Sequence, residues 1–177
     1  MKIPTLETER LKLREFSSED LDPYATMCAD NAFMRYLGGK TFTKTETWRN
    51  MAFLLGHWAM RGYGVWAIEH RETGELLGRA GLLSPHGWPG VELCWALGPA
   101  HWGQGYATEA AKASITWAFN HRGIDQLISL IHPGNHRSEA VAKRAGELLL
   151  REMRFRGQPT KVYGIQKPDG EAGNKLA

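Results

Sequence analysis

From Val91 to Ala110 the chain reads Val-Glu-Leu-Cys-Trp-Ala-Leu-Gly-Pro-Ala-His-Trp-Gly-Gln-Gly-Tyr-Ala-Thr-Glu-Ala. An apolar run meets Gly98-Pro99, passes a turn holding Gly103 and Gly105, and opens into helical spacing. Strand, glycine turn and helix N-terminus are therefore consecutive. Backbone N–H groups and the positive end of a helix dipole converge at such a junction, which suits an anion and above all a phosphate. Gly103 and Gly105 allow close backbone approach and positive φ, though both also suit a plain helix-entry turn.

Three phosphate cradles share this outline. The nucleotide-triphosphatase loop needs a lysine directly after its last glycine, and none follows Gly103 or Gly105. A dinucleotide fold wants a third glycine where Thr108 stands. Asp125 lies 20 residues past Gly105 (125 − 105), but it precedes the apolar run Gln126–Ile131 instead of closing it, so it is misplaced for a ribose. The run Trp102-Gly-Gln-Gly-Tyr-Ala-Thr-Glu-Ala110 closely resembles the third, the pyrophosphate loop of the GNAT superfamily of acetyl-CoA-dependent acyltransferases, in particular its RimJ/RimL-like branch. Leu6–Arg14 resembles that branch's opening strand, and Asn135-His-Arg-Ser138 followed by Gly146 resembles its second cofactor helix. The three matches keep the family's order and span residues 6 to 146.

Periodicity places these motifs on elements. Arg10–Arg14 alternates like a half-buried strand, and Ser17-Ser-Glu-Asp20 offers caps for a helix to about Ala29. Trp48, Ala52, Leu55 and Trp58 suit one face of a helix over Thr45–Arg61, ended by Gly62 and Gly64. Strands are expected over Val65–His70, Glu75–Leu83 and Val91–Leu97, consecutive and antiparallel, with a loop at 85–90. A helix over Thr108–His121 with Ala111, Ile115 and Ala118 inward, a strand over Gln126–Ile131, a helix over Asn135–Ala145 and a strand pair over Leu148–Arg154 and Lys161–Gln166 complete the order. The fold class is α/β, with a mixed, mostly antiparallel sheet flanked by helices. The resemblance implies in addition that the strands ending near Leu97 and Ile131 splay apart to admit the pantetheine arm of CoA.

What the resemblance implies for the site is specific. The amides of Gly103, Gln104, Gly105, Tyr106, Ala107 and Thr108 take the pyrophosphate. Trp102 stands where the family usually has Arg or Gln, as its RimJ/RimL-like branch allows. The Leu97 backbone bonds the pantetheine and orients the thioester, Asn135 bonds the pantetheine amide, and Ser138 meets the thioester sulfur. Asn135 also reads as a simple helix N-cap. Many relatives carry an acidic tyrosine seven residues after that asparagine; here the position is Ala142. Glu92, five residues before Leu97, matches a carboxylate general base in several relatives, or is a solvated strand residue. Trp88 and Tyr36 are candidates for the acceptor wall, while Trp48, Trp58 and Trp117 are expected in the core.

Composition narrows the partners. The net charge of +3 suits an anionic small ligand and lacks the clustered basic stripe of a nucleic-acid binder. Cys28 and Cys94 form no Cys-x-x-Cys pair, and His132 and His136 are separated by Pro133-Gly134 without a third ligand, so no metal is expected. No apolar run reaches the roughly 18 residues of a membrane span, and no signal-peptide core follows Met1-Lys-Ile-Pro4. The expectation is a cytoplasmic enzyme, monomer or homodimer, with residues 1–167 as one domain and 168–177 as a mobile tail. It transfers acetyl from acetyl-CoA directly to a primary amine, either a protein N-terminus or a small molecule. The alternative is a non-catalytic CoA-binding module.

Overall fold

The alternating Leu11-Lys-Leu-Arg14 buries both leucines completely and forms an inner strand, β2, beside the two-residue β1 at Leu6–Glu7. The structure, a computed structural model, describes residues 2–168; the expected mobile tail lies almost wholly outside them. After a short 3-10 turn at Ser18–Asp20 come α1 (Leu21–Cys28), α2 (Asn31–Met34) and α3 (Lys44–Arg61). Strands β3 (Val65–His70), β4 (Leu76–Leu83) and β5 (Glu92–Leu97) follow. Next are α4 (Tyr106–His121), β6 (Gln126–Ile131), α5 (His136–Ala145), β7 (Leu148–Phe155) and β8 (Gln158–Gln166).

The eight strands make one open sheet in the order β1-β2-β3-β4-β5-β6-β8-β7, antiparallel except at the parallel β5–β6 contact. This is the expected mixed α/β sheet. One face carries Phe16, Tyr24, Phe33, Met51 and Leu54 from the α1–α3 side; the other carries α4 through Ala111, Ile115 and Ala118. Trp58, Trp66 and Trp117 pack edge to face with centroids 4.8, 5.0 and 5.6 Å apart. Their indoles tie α3 and the C-terminal half of α4 to the sheet, so the N-terminus of α4 is held from behind.

One expectation is corrected and one element is added. Helix α3 is capped by Thr43, whose hydroxyl accepts from the Glu46 amide while Glu46 accepts from the Thr43 amide, and it ends at Gly62 with φ +72°. Its buried stripe is Thr47, Met51, Leu54 and Trp58, so Trp48 is 58% exposed and not in the core. The stripe has the same period and is rotated by one residue, about 100° around the axis. The four-residue α2 was not anticipated, because one turn leaves no periodicity to read; its cap is Asp30, accepting from the Ala32 and Phe33 amides.

Candidate active site

Strands β4 and β5 pair at six positions, from Leu83↔Glu92 to Gly78↔Leu97, but β5 meets β6 only at Glu92↔Ile128. Beyond that contact the two parallel strands diverge toward Leu97 and Ile131. A cleft of about 1410 Å³ opens there, lined by β5, the 102–109 turn, the end of β6, the start of α5, and Phe33 and Tyr36. Unpaired strand edges leave backbone donors and acceptors facing this space.

The turn is the donor-rich wall. Gly103 and Gly105 have φ of +78° and +85°, in the left-handed region that favours glycine. Among the described residues no acceptor takes the amides of Gly103, Gln104, Gly105, Tyr106, Ala107 and Thr108, and the N-cap Gly105 offers no side chain. Six free donors at a helix N-terminus fit a diphosphate. Arg10 braces the turn from behind: its Nη1 donates to Gln104 O at 3.0 Å, its guanidinium lies 4.5 Å from the Tyr106 ring centre, and its Nε donates to Glu109 Oε2 at 2.8 Å. Burial alone would raise the Glu109 carboxyl, but hydrogen bonds from Thr8 and Arg10 and the Arg10 charge hold it below its ordinary value. Glu109 is thus an anion neutralised by Arg10, which limits its repulsion of a phosphate at the same helix end.

Trp102 spans the mouth. Its Nε1 donates to Leu97 O at 2.7 Å, and the Arg137 guanidinium lies 4.5 Å from its ring centre. The Leu97 carbonyl keeps one lone pair for another donor. Asn135 is the N-cap of α5, its Oδ1 accepting from the Ser138 amide at 3.3 Å; among the described residues its side-chain NH2 and the Ser138 hydroxyl have no hydrogen-bond partner. Both residues line the cleft. Tyr36 closes the far side, donating its hydroxyl to Gly134 O at 2.8 Å with its ring 5.5 Å from that of His132. His132 Nδ1 in turn accepts from the Gly134 amide. No group of three His, Cys, Asp or Glu side chains among the described residues is placed to hold a metal ion.

Glu92 sits at the narrow end of the gap. Trp88 Nε1 donates to Glu92 Oε2 at 2.6 Å, and Trp88 is itself clamped by the β7–β8 hairpin tip: Phe155 packs edge-on at 5.1 Å and the Arg156 guanidinium lies 4.4 Å from its ring centre. Trp88 therefore stands behind Glu92 and is not a lining residue of the cleft. Burial pushes the Glu92 carboxyl up to about 7, against the opposing pull of the Trp88 hydrogen bond, Arg79, a Leu130 backbone bond and Arg156. A carboxyl poised near neutrality suits proton abstraction. Cys94, also in the lining, is pushed up to about 12 by burial and the Glu92 charge, which disfavours a thiolate nucleophile.

Sequence reasoning missed Arg10 as the brace, the Phe155–Arg156 tip, and Glu147. The last is 1% exposed, its carboxylate oxygens take no hydrogen bond among the described residues because the nearby Ser129 hydroxyl donates to Leu93 O, and it is pushed up to about 7 by burial, against the pull of Ser129 and with Glu92's charge adding. Arg10 lay inside a segment already singled out; the other two carry no local signal. No helix among the described residues is long and apolar enough to cross a membrane.

Residues 10–147 match the family model described as acetyltransferase (GNAT) domain. The chain is 33% identical over 167 residues to the uncharacterized protein YkkB of Bacillus subtilis, covering 89% of this chain and 93% of that one. It is 28% identical over 175 residues to the uncharacterized N-acetyltransferase YoaA of the same organism, covering 93% and 98%. Among solved structures it is similar to an acetyltransferase from Agrobacterium tumefaciens, with a TM-score of 0.85 and 34% identity over 94% of this chain and 96% of that one.

Proposed function

The chain belongs to the acetyltransferase (GNAT) family, and from that premise we propose that it transfers the acetyl group of acetyl-CoA directly to a primary amine, on a protein N-terminus or a small molecule. The observation that carries the reading is the pairing, across one cleft, of six free amides at the α4 N-terminus with a carboxyl poised near 7. We place the chain in the RimJ/RimL-like branch, with residues 1–167 as one cytoplasmic unit.

Acetyl-CoA supplies a thioester: the amine nitrogen bonds to its carbonyl carbon, the C–S bond breaks, and the CoA thiol leaves. The amides from Gly103 to Thr108 hold the diphosphate, and Trp102 shapes the mouth beside them. The Leu97 backbone and the free amide of Asn135 orient the pantetheine. Glu92 takes the proton that the amine loses on attack; near pKa 7 it is substantially ionised at neutral pH and remains basic enough to accept it. An α-amine of pKa ~8 reaches the neutral, nucleophilic form more readily than a lysine amine of ~10.4. Ser138 solvates the departing sulfur, which needs little more, since a thiol of pKa ~8.5 leaves readily. Neither cysteine offers a reactive thiolate for a covalent acetyl intermediate: burial raises both thiols.

Calorimetric titration with acetyl-CoA followed by thiol release with an amine panel tests this. Saturable binding and amine-dependent release are expected. Binding without release from any amine reduces the chain to a CoA-binding module, and absence of binding removes the reading.

A further inference from the structure

On the side of β4 and β5 that faces α1–α3, Arg79 has no carboxylate partner among the described residues. It occupies the middle of β4, opposite Ala67 on β3 and Ala96 on β5. It therefore shares a sheet face with Ala96 and, by strand alternation, with Cys94 and Glu92. Ala96, Cys94 and Glu92 all line the cleft; Arg79 stands beside them on the same face, behind the lining, and its charge acts on Glu92. The Arg79 residue retains some solvent contact, yet its Nε is buried and, among the described residues, has no acceptor, and its guanidinium forms no salt bridge or hydrogen bond with any of them. Such a cation is costly to keep unless something supplies an anion. The arginines that do have structural work on this sheet are paired: Arg14 with Asp20 and Glu69, Arg10 with Glu109.

The remaining charges on the acceptor side point the same way. Arg35 lines the cleft beside Tyr36, its guanidinium 5.3 Å from that ring centre and without an ion pair among the described residues, and Arg156 stands over Trp88. Against these cations the lining offers three carboxylates, Glu9, Glu92 and Glu109. Glu109 is engaged by Arg10 and Thr8, and Glu9 belongs to the β1–β2 corner beside the phosphate turn. Only Glu92 is left for the amine. Glu147, the other carboxyl near Glu92, is 1% exposed and out of reach. A polycation would find one acid and several arginines here, whereas a zwitterion would find one partner for each end.

We propose that the acceptor is a carboxylate-bearing primary amine of the amino-acid type, with its amine at Glu92 and its carboxylate on Arg79, and with Phe33 and Leu37 as the apolar lining for its side chain. This rests on the acetyltransfer reading above and specifies its substrate class. Arginine suits the task because its planar fork bonds a carboxylate through two parallel N–H groups.

The test compares leucine, leucinamide and spermidine as acceptors for the wild type and Arg79→Met, by thiol release, with acetyl-CoA affinity measured separately by calorimetry. Leucinamide keeps the amine and side chain and lacks the carboxylate; its more acidic ammonium gives it the intrinsic advantage at neutral pH. Leucine is nevertheless expected to exceed leucinamide in kcat/KM by about tenfold or more, the scale of a charged hydrogen-bonded pair, and spermidine to be the poorest. Arg79→Met should erase the leucine preference through KM, with acetyl-CoA affinity unchanged; because Arg79 also holds the Glu92 carboxyl down, any change in Glu92 falls on both acceptors alike, and the readout is the ratio of leucine to leucinamide within each protein, taken well above pH 7. Leucinamide or spermidine as the better wild-type acceptor overturns the proposal, as does a leucine-to-leucinamide ratio in Arg79→Met that stays at the wild-type value. If none of the three acceptors turns over, leucine binding to the acetyl-CoA-saturated protein decides: heat of binding absent from Arg79→Met supports the carboxylate site although transfer fails, and no heat with wild type overturns it.

Discussion

On the 102–108 side of the cleft six backbone amides face outward, and the left-handed glycines with the Arg10 brace are enough to place them. On the Glu92 side every contact is a side chain: Glu92 is held by Trp88, Trp88 by Phe155 and Arg156, and these come from β5, the preceding loop and a hairpin more than 60 residues away. The first wall is local and tolerates most side-chain changes except at its glycines. The second depends on tertiary packing, and its chemistry is tuned in steps by groups that need not touch a substrate.

That contrast predicts where substitutions act most strongly. Gly105→Glu forces a side chain onto a backbone at φ +85°, toward Arg10 Nη2, and sets a negative charge at the cradle. Calorimetry should show acetyl-CoA affinity reduced at least about 100-fold, equivalent to roughly 2.7 kcal/mol, in a protein that remains folded. Retained affinity would mean that the turn is only a helix entry. Glu92→Gln should leave that affinity intact and lower kcat/KM by about 10²–10⁴, the usual worth of a general base. Wild-type activity should rise with pH through about 7 as Glu92 loses its proton, and this inflection should vanish in Glu92→Gln.

How much of each wall could be read in advance follows from the same contrast. Gly103 and Gly105 announce a backbone structure because the constraint lies in the residues themselves. The order of strands and helices was similarly legible, and even the misplaced Trp48 belongs to a helix of the right length and period. Glu92 and Trp88 were visible as residues, but their hydrogen bond needed the loop between them to fold back. The Phe155–Arg156 tip meets Trp88 only through the sheet order β6-β8-β7, which no local pattern encodes. Arg79 in a strand and Glu147 after a helix-ending glycine look unremarkable until the sheet shows what they lack.

Glu147 separates stability from catalysis on the second wall. Its folded carboxyl is raised from 4.5 to about 7, so the native state keeps a proton that the unfolded chain releases, and stability falls as pH rises through this interval. Urea unfolding at pH 5 and pH 8 should show the wild type losing more stability than Glu147→Gln, by about 2–3 kcal/mol. A pH dependence unchanged in Glu147→Gln would show that another group carries it. Trp88→Phe keeps the aromatic contact with Phe155 and removes the hydrogen bond to Glu92. Since that bond lowers the Glu92 carboxyl, the activity midpoint should move to higher pH by about one unit, as loss of a hydrogen bond to a charged form implies.

The smallest effect belongs to the residue farthest from the chemistry. Arg156 has φ +50° and Gly157 φ +78°, so the two form a hairpin turn whose first position favours asparagine. Arg156→Asn therefore keeps the turn, spares the Phe155–Trp88 contact, and deletes only the cation over the indole. Arg156 acts on Glu92 by charge alone and after Trp88 and Arg79 in strength, so the activity midpoint should rise by no more than about half a unit, with less displacement at high salt because the Arg156 side is solvent-screened. A shift as large as that of Trp88→Phe would mean that the tip holds the indole in place by its cation–π contact, and that the second wall is organised from the hairpin inward. Equal midpoints for wild type and Arg156→Asn at low salt would restrict the tuning of Glu92 to the groups that touch it or lie beneath it.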